Sequence, residues 1–335
     1  MPYTDAEVVS FLKEPPSNDI FRALLNAVET YGMLEGTMLY DDADFLEQLM
    51  LSRELRLINA LSGKDYTYED ILARLSLKND DDEIYRQVTS YNLSKEFIVC
   101  KLSLYKIIPA IDILRVNCFL RTHNQIVLSD TDFIDAYDDL AQAINNKILR
   151  VFYGLNSESH IFLRLAATHY LINMNISNYE LDILTLDILF STIIQNGQTP
   201  LQASIWLAKY KVLNVNWRFE AINESFETAI IDFLNYLKDE FYSASIILCN
   251  RRGKLDGITE TLRQNIPKAY CNHLTDLLYN KICIRNSDFI DTLHVSPMTA
   301  IKYTKILEDN QLITGIKQGR EKIYFNNVLI SLIRE

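Results

Sequence analysis

The stretch SDFIDTLHVSPMTAIKYTKILEDNQLITGIKQGREKIYF, residues 287–325, carries the clearest structural grammar in the chain. Ser287 and Ser296 stand where helix N-caps are expected, because a short side-chain oxygen can accept an amide left unpaired in the first turn. Pro297 fits the first helical position, where no N–H is required. Val295 is then the turn residue between two helices, expected at 287–293 and 296–309, with a further helix upstream at 268–280. Beyond them, 312–316 and 322–325 are β-prone runs flanking the polar segment Lys317-Gln-Gly-Arg320, which predicts a hairpin. Three helices followed by a hairpin, in this order, are the pattern of a winged helix-turn-helix.

Charge sets this tail apart from the rest. Residues 261–335 hold ten Lys+Arg and seven Asp+Glu, a net of +3, in a chain whose net charge is −11, so residues 1–260 carry −14. A mildly basic module on an acidic body suits a polyanion at one end and opposes nonspecific binding of nucleic acid or membrane elsewhere. The composition, 48% hydrophobic and 23% charged, is that of a globular protein and excludes a disordered or collagen-like chain. Nine Gly and seven Pro in 335 residues are too few for a sandwich or barrel of tight turns, which favours helices. The opening residues MPYTDAEVVS have no basic n-region, so no signal peptide is expected. The most apolar stretch, LDILTLDILFSTII at 181–194, is broken by Asp182 and Asp187 and is too short to span a bilayer. Cys100, Cys118, Cys249, Cys271 and Cys283 form no CxxC pair, and reduced thiols in a cytoplasmic protein are expected.

Working back from the tail, helical periodicity dominates. Glu14-Pro15-Pro16-Ser17-Asn18-Asp19 is a turn and cap cluster ahead of a helix with Ile20, Leu24, Ala27 and Val28 on its apolar side. A second helix over 45–61 buries Leu46, Leu49, Leu55 and Ile58 and ends at Gly63-Lys64-Asp65. Thr67 and Asp70 form a capping-box pattern ahead of Ile71, Leu72 and Leu75. One or two helices are expected over 83–120, and others over 131–148, 159–174 and 179–195, with Pro200 opening a further one. A long helix over 217–248 is expected to end at Asn250-Arg-Arg-Gly253. The fold class is therefore all-α with a C-terminal winged helix-turn-helix carrying a short β-hairpin. The division expected is a helical region 1–80, a helical core 81–250, and the tail 261–335.

Four segments together resemble the multidomain proteins of the Fic family. They are FRALLNAVETYGMLEG at 21–36, RELRLINALSGKDYTYEDIL at 53–72, LRLAATHYLINM at 163–174 and VSPMTAIKYTKILEDNQLI at 295–313. The second aligns without a gap with a family segment much like REAxxSSxIEGTxxTxEDL, and the third resembles the helix running into the catalytic loop. The resemblance implies a Fic-like helical core. Fic enzymes transfer AMP from ATP to a protein hydroxyl through a loop of form HPFxDGNGRxxR. Its His is the general base, an acid holds Mg²⁺, the Gly-Asn-Gly backbone cradles phosphates, and an Arg pairs with them.

Here the loop departs from that pattern. Counting on from His169-Tyr170, the base position falls on Ile176 and the prolyl position on Ser177. The acid falls on Glu180, the glycines on Leu181 and Ile183, the asparagine on Asp182 and the arginine on Leu184. Without glycine the backbone cannot approach a phosphate, and Asp182 would repel one. The family's inhibitory glutamate falls on Ser62, with the following Gly63 kept, and 123–130 is too short for the flap that presents the target hydroxyl. The expectation is a degenerate, non-enzymatic scaffold with no catalytic residues and no cofactor.

Other signals are weaker. His123, His160, His169, His273 and His294 have no metal-ligand spacing, and no metal is expected. Asp80-Asp81-Asp82-Glu83 reads as a solvated helix start favoured by the macrodipole. In the tail, Ser296, Met298, Thr299, Lys302, Tyr303 and Lys305 are the candidate recognition-helix contacts, with Lys317, Arg320 and Lys322 on the hairpin. The function expected is a binding protein, a DNA-binding transcriptional regulator with duplex DNA as partner. The alternatives are a divergent AMP-transferase using ATP, or a protein-binding scaffold, with a protein partner or homodimer.

Overall fold

The computed structural model describes residues 5–39, 42–61, 63–77, 81–105, 112, 115–116, 159–175, 225–265, 272–318 and 321–334. Helices dominate these residues, and a small antiparallel sheet lies near the C-terminus, so the chain is of the all-α class with a C-terminal hairpin. The helices expected over 131–148 and 179–195, and the 123–130 connection, lie outside the described residues. Two compact units form: residues 1–36 with 86–242, and residues 37–85 with 243–335.

In the first unit, α1 (Asp5–Lys13), α2 (Asn18–Thr37), α5 (Glu83–Tyr105) and α6 (Ile161–Asn175) contribute alongside residues 226–242 of α7 (Phe226–Asn265); α3 (Asp42–Leu61) and α4 (Tyr68–Leu77) belong to the second. After the two prolines, Phe21 N–H donates to Ser17 O at 2.8 Å, the first bond of α2. Ile20, Ala23, Leu24, Ala27 and Leu34 then lie on its buried stripe, as the 3.6-residue period requires. Aromatic edges knit this core together. The Phe226 ring meets Phe11 and Tyr170, each at 4.8 Å, and Phe241 meets Tyr31 and Phe162 at 5.4 Å. Segment 163–174 thus forms a core helix, with Phe162, Leu165, Ala166, Ala167 and Tyr170 buried.

In the second unit, α3 ends as glycine chemistry dictates. Gly63 adopts φ +78°, its N–H reaches Ala60 O at 3.0 Å, and Lys64 N–H reaches Asn59 O at 2.8 Å, the paired bonds of a Schellman cap. The Thr67–Asp70 box opens α4: Asp70 N–H donates to Thr67 Oγ1 at 3.1 Å and Thr67 N–H to Asp70 Oδ2 at 3.0 Å. Of the acidic run, Asp82 caps α5, accepting the amides of Ile84 and Tyr85 at 3.0 and 3.2 Å, and pairs with Arg74 at 2.8 Å.

Residues 272–334 fold as α8 (Asn272–Asn280), β1 (Cys283–Arg285), α9 (Asn286–Leu293), α10 (Pro297–Asp309), β2 (Ile313–Gln318), β3 (Glu321–Asn326) and α11 (Asn327–Arg334). The sheet order is β1-β3-β2, all antiparallel, with Ile284 opposite Tyr324 and Gly315 opposite Tyr324 on its other edge. Asn326, fully buried, donates to Leu278 O at 2.6 Å and accepts the amides of Val328 and Leu329, so one side chain ties α8 to the start of α11.

Two expectations need correction. Ser287 is not the N-cap of α9: the helix begins at Asn286, because the Asp288 carboxylate reaches back to the Arg285 N–H at 2.7 Å and fixes Arg285 as the cap. The long helix starts at Phe226 rather than 217, with the Ser225 hydroxyl accepting Thr228 N–H at 3.3 Å, and it does not stop at 250–253 but continues to Asn265. Its buried stripe of Ala244, Ile247 and Leu248 continues through Arg251 to Leu255, Ile258 and Leu262, so an arginine occupies a core position. The Arg251 guanidinium lies 4.5 Å from both the Phe45 and Tyr279 ring centres, pairs with Asp42 and donates to Tyr279 O at 2.7 Å. Arg252 also binds Asp42, at 2.8 Å. Gly253 and Gly257 keep helical backbone with open space where a Cβ would stand.

Candidate nucleic-acid interface

Local chemistry positions α10. His294, at φ 52°, closes α9 in a left-handed conformation and turns the chain sharply toward Ser296. The Ser296 hydroxyl accepts Thr299 N–H at 3.3 Å and lies 3.0 Å from Thr299 Oγ1, with Pro297 at the first helical position, as expected from sequence. Ala300, Thr304 and Leu307 are buried and anchor the helix. At the other end Gln311, at φ 58°, and the Leu312 N–H to Leu307 O bond of 3.0 Å lead directly into β2.

Anchoring 300, 304 and 307 turns the opposite side of α10 to solvent. Lys302 and Lys305 are exposed there, one turn apart, whereas Thr299 and Tyr303 lie on the flank and are half-buried. Met298 and Ile301 share the exposed side, at 70% and 54% exposure. Lys317 is exposed on β2. Lys302, Lys305 and Lys317 have no hydrogen-bonding or ionic partner among the described residues.

Lys322, on β3, is held differently. Its ammonium lies 2.8 Å from both Glu308 oxygens and 4.9 Å from the Tyr324 ring centre. Glu308 also accepts Gly315 N–H at 3.1 Å, so the last turn of α10 clamps the base of the hairpin. The Glu308 hydrogen bond is the main cause that raises the Lys322 pKa above the usual lysine value. Gly315 permits this approach, since a Cβ there would overlap Lys322 Cε and stand 2.5 Å from Glu308 Oε1.

The remaining candidates divide cleanly. Arg320, Ser62 and the segment expected to be a degenerate catalytic loop (Ile176, Ser177, Glu180, Leu181, Asp182, Ile183 and Leu184) lie outside the described residues. Gly63 is described, and its role there is to cap α3. Sequence reasoning overlooked Ile301 as an exposed position and Glu308 as the partner of Lys322. The first was legible in helical phase, since 298, 301, 302 and 305 fall on one face; the second depended on the β2–β3 register.

Among the described residues no cluster of His, Cys, Asp or Glu could hold a metal ion, and no helix is long and apolar enough to cross a membrane. Residues 255–329 match the family model described as the C-terminal domain of SoFic-like protein adenylyltransferases, a stretch of 75 residues in a chain of 335. No curated protein matches the chain. The matched stretch spans the end of α7 through the start of α11, and so contains the whole of α10 and the hairpin.

Proposed function

We propose that the chain is a Fic-like protein that has lost AMP-transfer chemistry and acts by binding duplex DNA through a winged helix made of α8–α10 and the β2–β3 hairpin, as a transcriptional regulator. The observation carrying this reading is the exposed set Lys302, Lys305 and Lys317 on α10 and the adjoining strand, with no partner among the described residues. Cations without a partner among the described residues, on a helix 10–12 Å across, suit the phosphates flanking a major groove about 12 Å wide. The match to a Fic C-terminal domain supports the lineage. The loss of chemistry rests on the residues at 176–184, where base, glycines and arginine are replaced.

The test is a titration of the full chain with a selected duplex, followed by fluorescence anisotropy at several salt concentrations. Each phosphate contact contributes roughly −0.9 to the slope of log K against log salt, so the three unpaired lysines give about −2.7, and Arg320 would bring it to about −3.6. A slope near zero, or no association at low salt, overturns the reading.

Two other readings have specific support. A divergent AMP-transferase is compatible with the lineage that the matched model's description names. Mg²⁺-dependent ATP binding by calorimetry, or labelling of protein with AMP that Glu180→Gln abolishes, would establish it. The exposed Met298, Ile301 and Ile316 favour a protein-docking module, which would show as partner binding with little salt dependence.

A further inference from the structure

We infer that Met298 and Ile301 are the residues of α10 that read DNA sequence, and that they do so by covering the 5-methyl groups of thymine in the major groove. This rests on the duplex-binding reading above and names what that interface prefers.

α10 offers a base edge only a few side chains. Met298, Ile301, Lys302 and Lys305 fall within an arc of about 100° on a helix turning 100° per residue. Between Met298 and Lys305 the axis rises about 10 Å, the length of about three base pairs. Of the side chains that make bidentate hydrogen bonds to bases, Arg, Asn and Gln are absent from PMTAIKYTKILED and only Lys is present. The polar flank is largely committed, because Thr299 is engaged with the Ser296 hydroxyl and Tyr303 is half-buried. Lys302 and Lys305 are long, flexible point charges that serve phosphates regardless of sequence.

What the face offers beside these lysines is apolar. Met298 is 70% exposed and Ile301 54%, on a helix whose inner positions are fully covered. Large apolar side chains gain by leaving water, and on the edges of base pairs in the major groove the thymine methyl is the apolar group. The two side chains are three residues apart, about 4.5 Å along the axis, which matches neighbouring steps on a strand. Asp309, exposed at the C-terminal end, confines this contact to the first two turns of α10. The lysines around the apolar pair supply charge complementarity to a polyanion; a neutral protein surface would leave them unpaired.

The experiment uses the full chain. Duplexes are enriched from a random pool at about 50 mM salt, and the enriched duplex is remade with deoxyuridine in place of thymidine, which removes the 5-methyl group and nothing else. Each contacted methyl should make binding about fourfold weaker on removal, with the salt slope unchanged. Met298→Ala and Ile301→Ala, both at exposed positions, should shrink the thymine–uracil difference to under about twofold. Equal affinity for the two duplexes overturns this inference and leaves duplex binding standing. Failure of any duplex to bind overturns duplex binding itself, and the Met298–Ile301 face is then a protein-docking surface.

Discussion

Glu308→Gln isolates the contribution of Lys322 to the interface. In the wild type both carboxylate oxygens hold the Lys322 ammonium at 2.8 Å, and Oε1 also accepts Gly315 N–H at 3.1 Å. Glutamine keeps an oxygen for the Gly315 amide but removes the charge that neutralises Lys322. The two side chains are 41% and 29% exposed, so the pair contributes less than about 1 kcal/mol to folding. Melting should therefore move by no more than about 3 °C. DNA binding should respond much more. A freed Lys322 adds one phosphate contact, steepening the slope of log K against log salt by about 0.9, so the loss of affinity between 50 and 200 mM salt should grow by about 3.5-fold. Gly315→Ala should have the same effect by another route, since the new Cβ would push aside Lys322 Cε and Glu308 Oε1, both flexible ends. Anisotropy titrations of the two variants against one duplex provide the measurement. An unchanged slope in both variants, with the fold intact by circular dichroism, would refute the idea that Lys322 is a cation held in reserve by α10.

Arg251→Met should cost about 3–5 kcal/mol in urea unfolding, because it removes one partner of a buried ion pair and strips Tyr279 O of its donor. Adding Asp42→Asn should recover part of that loss, and strict additivity would show that the pair is not coupled. Burial pushes the Cys283 thiol from 9.0 up to about 12, so at pH 8 iodoacetamide should label the exposed Cys100 and Cys249 well before Cys283. The raised value contributes stability that is fully present below about pH 9 and lost as pH rises toward 12, and Cys283→Ser should flatten that decline. Residues 261–335 produced alone should lack the cooperative melt of the full chain, because Glu69 pairs with Arg334, Arg53 bonds Ile333 O, and α4 packs against α11. A tail that melts cooperatively within a few degrees of the full chain would contradict this.

The sequence made the helices legible wherever local chemistry and periodicity agreed. Pro297 after Ser296, the Thr67–Asp70 box and Gly63 each act within a few residues, and the structure uses all three as their chemistry dictates. Strand β1 and helix α11 escaped notice for opposite reasons. Cys283-Ile-Arg is too short to carry a period, and it becomes a strand only because β3 pairs with it, with Ile284 opposite Tyr324. α11 had a readable signal, Asn326 followed by the apolar VLISLI, but the Asn pair reads equally well as the end of a strand. Its cap depends on Leu278 O, almost fifty residues earlier.

Arg251 shows where local reasoning gives the wrong answer for a physical cause. Two arginines and a glycine after an asparagine have the composition of a surface loop, yet the apolar stripe of α7 passes through Arg251 with unbroken 3–4 spacing. A guanidinium can occupy such a position only if its charge and donors are met by groups distant in sequence, here Asp42, Tyr279 O and two aromatic faces. None of these lies within twenty residues of Arg251, so no window of sequence around it contains the reason it is buried. The same logic governs the candidate interface. Which lysines stand free is decided by where Glu308 falls across the β2–β3 register: it removes Lys322 from the free set and leaves Lys302, Lys305 and Lys317 in it. A count of basic residues along the tail treats these lysines alike; their pairing gives one to the fold and leaves three without a partner among the described residues.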